Sequence, residues 1–435
     1  MIMIVIRNIK KTLLLACLPI AVDAADVSYS AGVLLATYEN INRLNGSDPE
    51  NPIKQESSYT LRAGLNLADE TADYSINVNG NVRSTKYINN IVNDRVSGDM
   101  VANLLWKIRP GQFEWVLNDT FTQSAIVTLA NDRPSNRQNV NVISTGPNYS
   151  MRFNATNKLL FSGRLESYRY ESKLVNRDNN RGTFSVKWAT QLNSRLNLSI
   201  NDEAESVEFN DTRFNSFDRN DIFLGVDYNS GVHSLKAEYG FTNIRNEDRE
   251  NARFDRYLLG ISRASSRDSK ILLSYQNSVT DTGRQIIQNV PTDGDGDEVF
   301  NTVSNDLFID ETLRAQYVKQ GISLGFNLNL YTRDRAFQTQ SFLDTESQGA
   351  IVSGNWRFTQ NKNITYSASY INTLYKNSSL NREDEDYRYT ISYKHRFKRH
   401  VIIGLSAISS ERDSPNTSFS YENLTVILNL NYTSL

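Results

Sequence analysis

The sequence predicts an all-β fold, a single antiparallel transmembrane β-barrel of about 20 strands, with 18 to 22 as the range. Two observations carry that expectation. Apolar and polar residues alternate with period two from about Ser28 to the end, and the links between the alternating runs are themselves alternately short and long.

The alternation is clearest where Ile322, Leu324, Phe326, Leu328 and Leu330 face Ser323, Gly325, Asn327, Asn329 and Tyr331. A strand written this way has one face for an apolar medium and one for water. Tyr74, Ile76, Val78, Gly80 and Val82 repeat it against Ser75, Asn77, Asn79, Asn81 and Arg83, as do Leu196, Leu198 and Ile200 against Asn197, Ser199 and Asn201. The last run carries Leu424, Val426, Leu428, Leu430 and Tyr432.

Short links fall at 69–72, 109–113, 154–158, 190–195, 229–233, 265–269, 319–321, 359–363 and 397–400. Longer polar links lie between them, at 43–56, 88–95, 129–136, 175–181, 210–219, 245–253, 281–306, 332–346, 376–385 and 410–417. Such regularity gives one end tight turns and the other end loops, the plan of barrels with short periplasmic turns and long external loops. An even strand number also returns both termini to the periplasmic side.

Composition agrees. Hydrophobic residues are 39% and the mean hydropathy is −0.50, so past the N-terminus no run approaches the roughly 18 apolar residues of a membrane helix. The net charge of −2 offers no field for nucleic acid, which is not expected as a partner. The 22 Tyr, 19 Phe and 4 Trp gather near strand ends, with Tyr168 and Tyr170, Tyr387 and Tyr389, and Trp356 and Phe358 expected in interfacial girdles. A barrel of this kind is expected to meet outer-membrane lipid and lipopolysaccharide and to depend on barrel-assembly machinery.

At the N-terminus Arg7, Lys10 and Lys11 precede the apolar stretch 12–22, and Ala24 and Ala25 follow Val22 and Asp23. Residues 1–24 therefore read as a signal peptide cleaved between Ala24 and Ala25, with 25–435 as the barrel. The alternative is a lipoprotein box at 14–17 with Cys17 lipidated, which leaves only 12–16 as apolar region. With cleavage after Ala24 no cysteine and no N-terminal plug are expected in the mature chain, so a constriction would have to come from a loop folding inward. The long 281–306 link is the leading candidate.

The run YENINRL at 38–44 and the hairpin SSERDSPNTSFSYENLTVILNLNY at 409–432 resemble a family of outer-membrane β-barrel porins, including those associated with exosortase (PEP-CTERM) and exopolysaccharide gene clusters. RNEDRENARFDRYLLGISRASSRDSKILLSY and NREDEDYRYTISYKHRF are similar in style. The resemblance implies a porin-like passive channel for hydrophilic solute or polymer, in exopolysaccharide export or surface-protein sorting, with polysaccharide or export-system proteins as partners. One departure is that Thr433, Ser434 and Leu435 follow Tyr432, where such assembly signals usually end on an aromatic. The competing reading is a non-conducting structural barrel whose external loops hold surface polysaccharide or a partner protein.

Catalysis is not expected. The three histidines, His233, His395 and His400, all fall near the periplasmic end, out of hydrogen-bond reach of an acid or nucleophile at the external rim. Asp293, Asp295 and Asp297 alternate with glycine like the opening of a calcium loop. Glu298 then stands where that loop needs glycine and Ser304 where it needs a bidentate Glu, so a solvated acidic loop is the plainer expectation, with no cofactor. The residues expected to line the lumen are Arg83, Lys187, Glu203, Glu205, Asn327, Asn329, Arg388, Lys394 and Arg396, a wet wall of mixed charge.

Overall fold

The structure, a computed structural model, describes residues 26–46, 52–172, 177–211, 214–246, 250–288, 306–377 and 382–434. The leader expectations at Cys17, Ala24 and Ala25, and the calcium reading at Asp293, Asp295 and Asp297, lie outside the described residues.

Twenty strands follow one another. The first five are β1 (Asp26–Tyr38), β2 (Glu56–Glu70), β3 (Tyr74–Tyr87), β4 (Arg95–Arg109) and β5 (Phe113–Ala125). Then come β6 (Arg137–Arg152), β7 (Asn157–Tyr170), β8 (Asn179–Asn193), β9 (Leu196–Phe209) and β10 (Phe217–Asn229). The third group is β11 (His233–Asn246), β12 (Ala252–Ser266), β13 (Ser269–Thr280), β14 (Phe308–Gln320) and β15 (Leu324–Phe337). The last is β16 (Thr345–Thr359), β17 (Lys362–Tyr375), β18 (Glu383–Phe397), β19 (Val401–Asp413) and β20 (Tyr421–Thr433). One short helix, α1 (Thr282–Gln288), follows β13.

Every strand pairs antiparallel with its neighbours in sequence, and β1 closes the sheet on β20 from Ser30↔Thr433 to Tyr38↔Thr425. The cylinder has no free edge, so every strand satisfies its backbone groups without water, as a membrane wall requires. No helix among the described residues is long and apolar enough to cross a membrane.

The outer face carries exposed apolar side chains that a soluble protein would bury: Leu324, Leu330, Leu424, Val426, Leu428, Leu430 and Tyr432. Burial is instead concentrated inside the barrel near the looped end, where Val140, Val142, Tyr168, Tyr170 and Ile286 form one cluster. The end with the tight turns is the periplasmic one by the rule of short periplasmic turns.

Two sequence expectations need correction. Tyr168 and Tyr170 are not girdle residues: they share the inner parity of β7 and are 0% and 4% exposed, because Ile286 covers them from the lumen side. Ile322 does not belong to the outward row of β15. It sits in the turn between β14 and β15, 90% exposed, where Gly321 N–H donates to the Leu324 carbonyl at 3.1 Å.

Candidate functional site: the looped mouth of the barrel

The densest chemistry in the described chain lies inside the looped end. Helix α1 begins on Asp281, whose Oδ1 accepts from the backbone N–H groups of Gly283 (2.8 Å) and Arg284 (3.3 Å). That is the service an N-cap aspartate gives to the first turn. The same carboxylate takes two hydrogen bonds from Arg181 on β8, at 2.6 and 2.9 Å. A fork of this kind is the strong geometry for a guanidinium and a carboxylate.

Gly283 makes the approach possible. A Cβ there would fall 2.2 Å from Arg181 Nη2 and 2.8 Å from its Cζ, so only glycine lets the guanidinium lie on the helix backbone. Arg181 is further held by Asn179 Oδ1 at 3.0 Å, by Glu205 at 3.4 Å, and by the Tyr168 ring, whose centroid is 4.5 Å from its Cζ. Burial alone would raise the Asp281 carboxyl. The adjoining Arg181 outweighs burial and brings it from the ordinary 3.8 down to about 2.

The rest of α1 is tied as firmly. Arg284 donates to Glu205 Oε2 at 2.8 Å and to Glu203 Oε1 at 2.7 Å, both on β9. Gln285 donates to Asp310 of β14 at 2.9 Å, and Arg333 of β15 pairs with the same carboxylate. Ile286 is fully buried against Val140, Val142, Tyr168 and Tyr170. A segment leaving β13 thus reaches β6 to β9 on another part of the wall, and it does so through lumen-facing groups.

A second segment, 126–136, crosses from β5. Asn136 braces it by accepting from Val127 N–H at 2.9 Å and donating to the Val127 carbonyl at 3.0 Å. Leu129 packs on Phe308, Phe337 and Leu343, and its carbonyl accepts from Arg382 at 2.8 Å. β5 and β15 are half the circumference apart in a 20-stranded closed sheet, so this segment spans the mouth. Asp132 anchors it to Arg43 (3.1 Å) and Arg137 (2.9 Å). Burial would raise its carboxyl, but Arg137 and Arg43 hold it at about 2. Beside it Arg382 pairs with Asp384 at 2.6 Å, and Arg412 with Asp386 at 2.8 Å.

Of the residues expected on the lumen wall, the structure brings only Glu203 and Glu205 together at the mouth. Arg83 is on the inner face of β3 in an ion pair with Asp99. Lys187 borders a recess of about 360 Å³ with Glu114, Ser162 and Ser185. Asn327 accepts from Gln316 at 2.9 Å, and Asn329 stands opposite Gln316 in register. Arg388, Lys394 and Arg396 share the inner parity of β18 with Asp384 and Asp386. His395 lies on the outer face of that strand between the rings of Tyr393 and Phe397. His233 opens β11, and His400 touches Tyr432 near the same end.

Sequence reading did not single out Arg181, Asp281, Arg284 or Leu129. Two signals were there to be read: a capping Asp281 followed by Gly283 at the start of a long link, and the apolar Val127, Leu129 and Ala130 in a link that should otherwise be polar.

No protein-family model and no curated protein matches the chain. Solved structures do. The FrpB iron transporter from Neisseria meningitidis (F3-3 variant) is similar at 9% identity over 94% of this chain and 82% of that one, TM-score 0.50. The ferric-catecholate import receptor Fiu from K12 E. coli is similar at 8% identity with the same coverage and TM-score. OccK2 (OpdF) from Pseudomonas aeruginosa, solved with glucuronate, is similar at 9% identity over 95% and 99% of the two chains, TM-score 0.43. At such identities the likeness speaks for the fold, which is that of Gram-negative outer-membrane barrels.

Proposed function

We propose that the chain is a passive outer-membrane channel for a hydrophilic solute or polymer, narrowed at its extracellular mouth by 126–136 and by the segment that begins at Asp281. The observation that carries this reading is the Arg181–Asp281 fork. It holds a helix inside the barrel by groups on the lumen side, where a conducting barrel needs its constriction. Barrels of 16 to 18 strands already leave an aqueous channel, and 20 strands enclose a wider one.

The finer setting, exopolysaccharide export or surface-protein sorting, is supported by the resemblance at 38–44 and 409–432 and by the wall chemistry. A polyhydroxylated chain needs many exchangeable hydrogen-bond partners, and Asn327, Asn329, Ser162, Ser185 and Gln316 supply them on inner faces. One observation favours the alternative of a non-conducting binding barrel: Leu129 reaches the apolar trio on the far wall, so the mouth is crossed from side to side.

Single-channel recording of the refolded protein, with and without deletion of 281–306, separates the two. Steady conductance that rises on deletion supports the channel and leads to tests of sugars as permeants. A folded barrel silent in both forms rejects it in favour of the binding barrel.

A further inference from the structure

The outer wall of β5 to β10 carries two carboxylates near mid-height of the membrane band. Its outward row is marked by exposed Trp115, Leu165, Phe184, Ile200 and Leu224. By the same parity and register, Asp119, Asn141, Asp202 and Asn220 also face outward. Asp119 and Asp202 are each the sixth residue beyond the first of their strands, β5 and β9, which run in the same direction. At about 3.3 Å per residue and a tilt of roughly 40° this puts both carboxylates about 15 Å above the periplasmic edge, inside an apolar band about 25 Å tall. At the same step on ascending strands elsewhere stand Gly32, Gly80, Tyr239, Tyr275, Leu330, Ala368 and Ala407, none of them charged.

The two carboxylates are matched. Asn141 donates to Asp119 at 2.6 Å and Asn220 to Asp202 at 2.7 Å. In each case the asparagine stands opposite the residue two beyond the aspartate, Phe121 or Ala204. Midway between the pairs lie Gly163, the same step along β7, and Gly182 on β8. A groove of about 960 Å³ runs over them on the outer wall. A Cβ at Gly182 would meet nothing within 4 Å. Beside the glycines Leu165, opposite Gly182 in register, is 69% exposed.

We propose that this wall is the interface of a two-fold dimer of the chain, with its axis along the membrane normal between β7 and β8. All copies in a membrane share one orientation, so such an axis preserves depth and places β5 of one copy against β10 of its partner, and β6 against β9. Asp119 then faces the partner's Asn220, and Asn141 faces the partner's Asp202. Asp202, on the strand nearer the axis, thereby exchanges lipid for an amide, which lowers the cost of a charge in the apolar band, while Asp119 stands at the margin of the contact. Leu165 of each copy enters the recess over the other's Gly163 and Gly182. The surface is self-complementary, as an isologous contact requires.

The test is cysteine cross-linking in the native outer membrane with Gly182→Cys, against Ala368→Cys on β17, which stands at the step of Gly163 and diametrically opposite β7. Wild type, which carries Cys17 alone, is the blank. A disulfide-linked dimer for Gly182→Cys at several times the Ala368→Cys level is expected. Native mass spectrometry in mild detergent should show a wild-type dimer that Gly182→Trp converts to monomer, with heat-modifiable migration on gels reporting that the variant barrel has folded. Equal cross-linking at the two positions overturns the proposal. So does a wild-type monomer carrying glycolipid mass, which would assign the groove to lipid.

Discussion

Arg181 and Asp281 are a hundred positions apart in the chain and meet through two hydrogen bonds of 2.6 and 2.9 Å inside the barrel. The arginine side chain is 1% exposed and the aspartate 5%. A pair so buried gains little over an apolar contact when intact, but removing one partner leaves a charge without compensation, at about 3–5 kcal/mol. Its contribution is therefore specificity of position: it locates α1 against β8 and nowhere else.

Arg181→Ala should release α1, because Asp281 and Glu205 lose their shared cation together. The expected readout is higher and noisier single-channel conductance with the barrel still folded. An unchanged trace would show that Arg284 and Ile286 hold the segment by themselves.

The second segment has a different anchor. Leu129→Ala removes the apolar contact with Phe308, Phe337 and Leu343, and a buried Leu→Ala costs about 2–5 kcal/mol; the partial burial of Leu129 places it at the low end. Limited proteolysis of intact cells should then cut within 126–136 faster than in wild type, with Arg181→Ala leaving this site unaffected.

The pH dependence follows from Asp281, whose carboxyl lies at about 2 instead of 3.8. A depressed carboxylate contributes closure that is complete above its ordinary range and lost as pH falls through the folded value. Conductance should therefore be flat from neutral pH to near 4 and rise only as pH descends toward about 2. A rise centred near pH 6 would mean that another group controls the mouth.

Tyr331 lies across Gly349 on the inner wall, where a Cβ would come within 2.6 Å of its ring. Gly349→Val must displace that ring or the strand, and overpacking of this kind costs about 1–3 kcal/mol. The midpoint of heat-induced loss of the compact gel form should fall. Gly260→Ala, where the nearest atom to a Cβ is the Lys236 carbonyl oxygen at 3.9 Å, should leave it unchanged.

Much of the barrel was legible because strand periodicity is local. Leu324 to Leu330 and Leu424 to Tyr432 alternate because successive side chains take opposite faces, and short links such as 229–233 and 397–400 can only be turns. The same parity already separated inner Arg83, Glu203 and Asn327 from outer Val82, Ile200 and Leu328. Aromatic composition near a strand end points Tyr168 and Tyr170 to a girdle, but parity does not: two and four steps from Glu166 on the inner row, they face the lumen.

The sequence by itself determined the character of the wall: antiparallel strands, about twenty of them, and which residue of each pair faces lipid, since facing depends on neighbours two residues away and the links alternate in length. The closure of β1 on β20 fixed the number at 20. Only the tertiary structure decided the mouth. Arg181 meets Asp281, Leu129 meets Phe308, and Asp119 and Asp202 share one depth because the sheet closes on itself with a fixed register. Closure brings together residues that no local period relates.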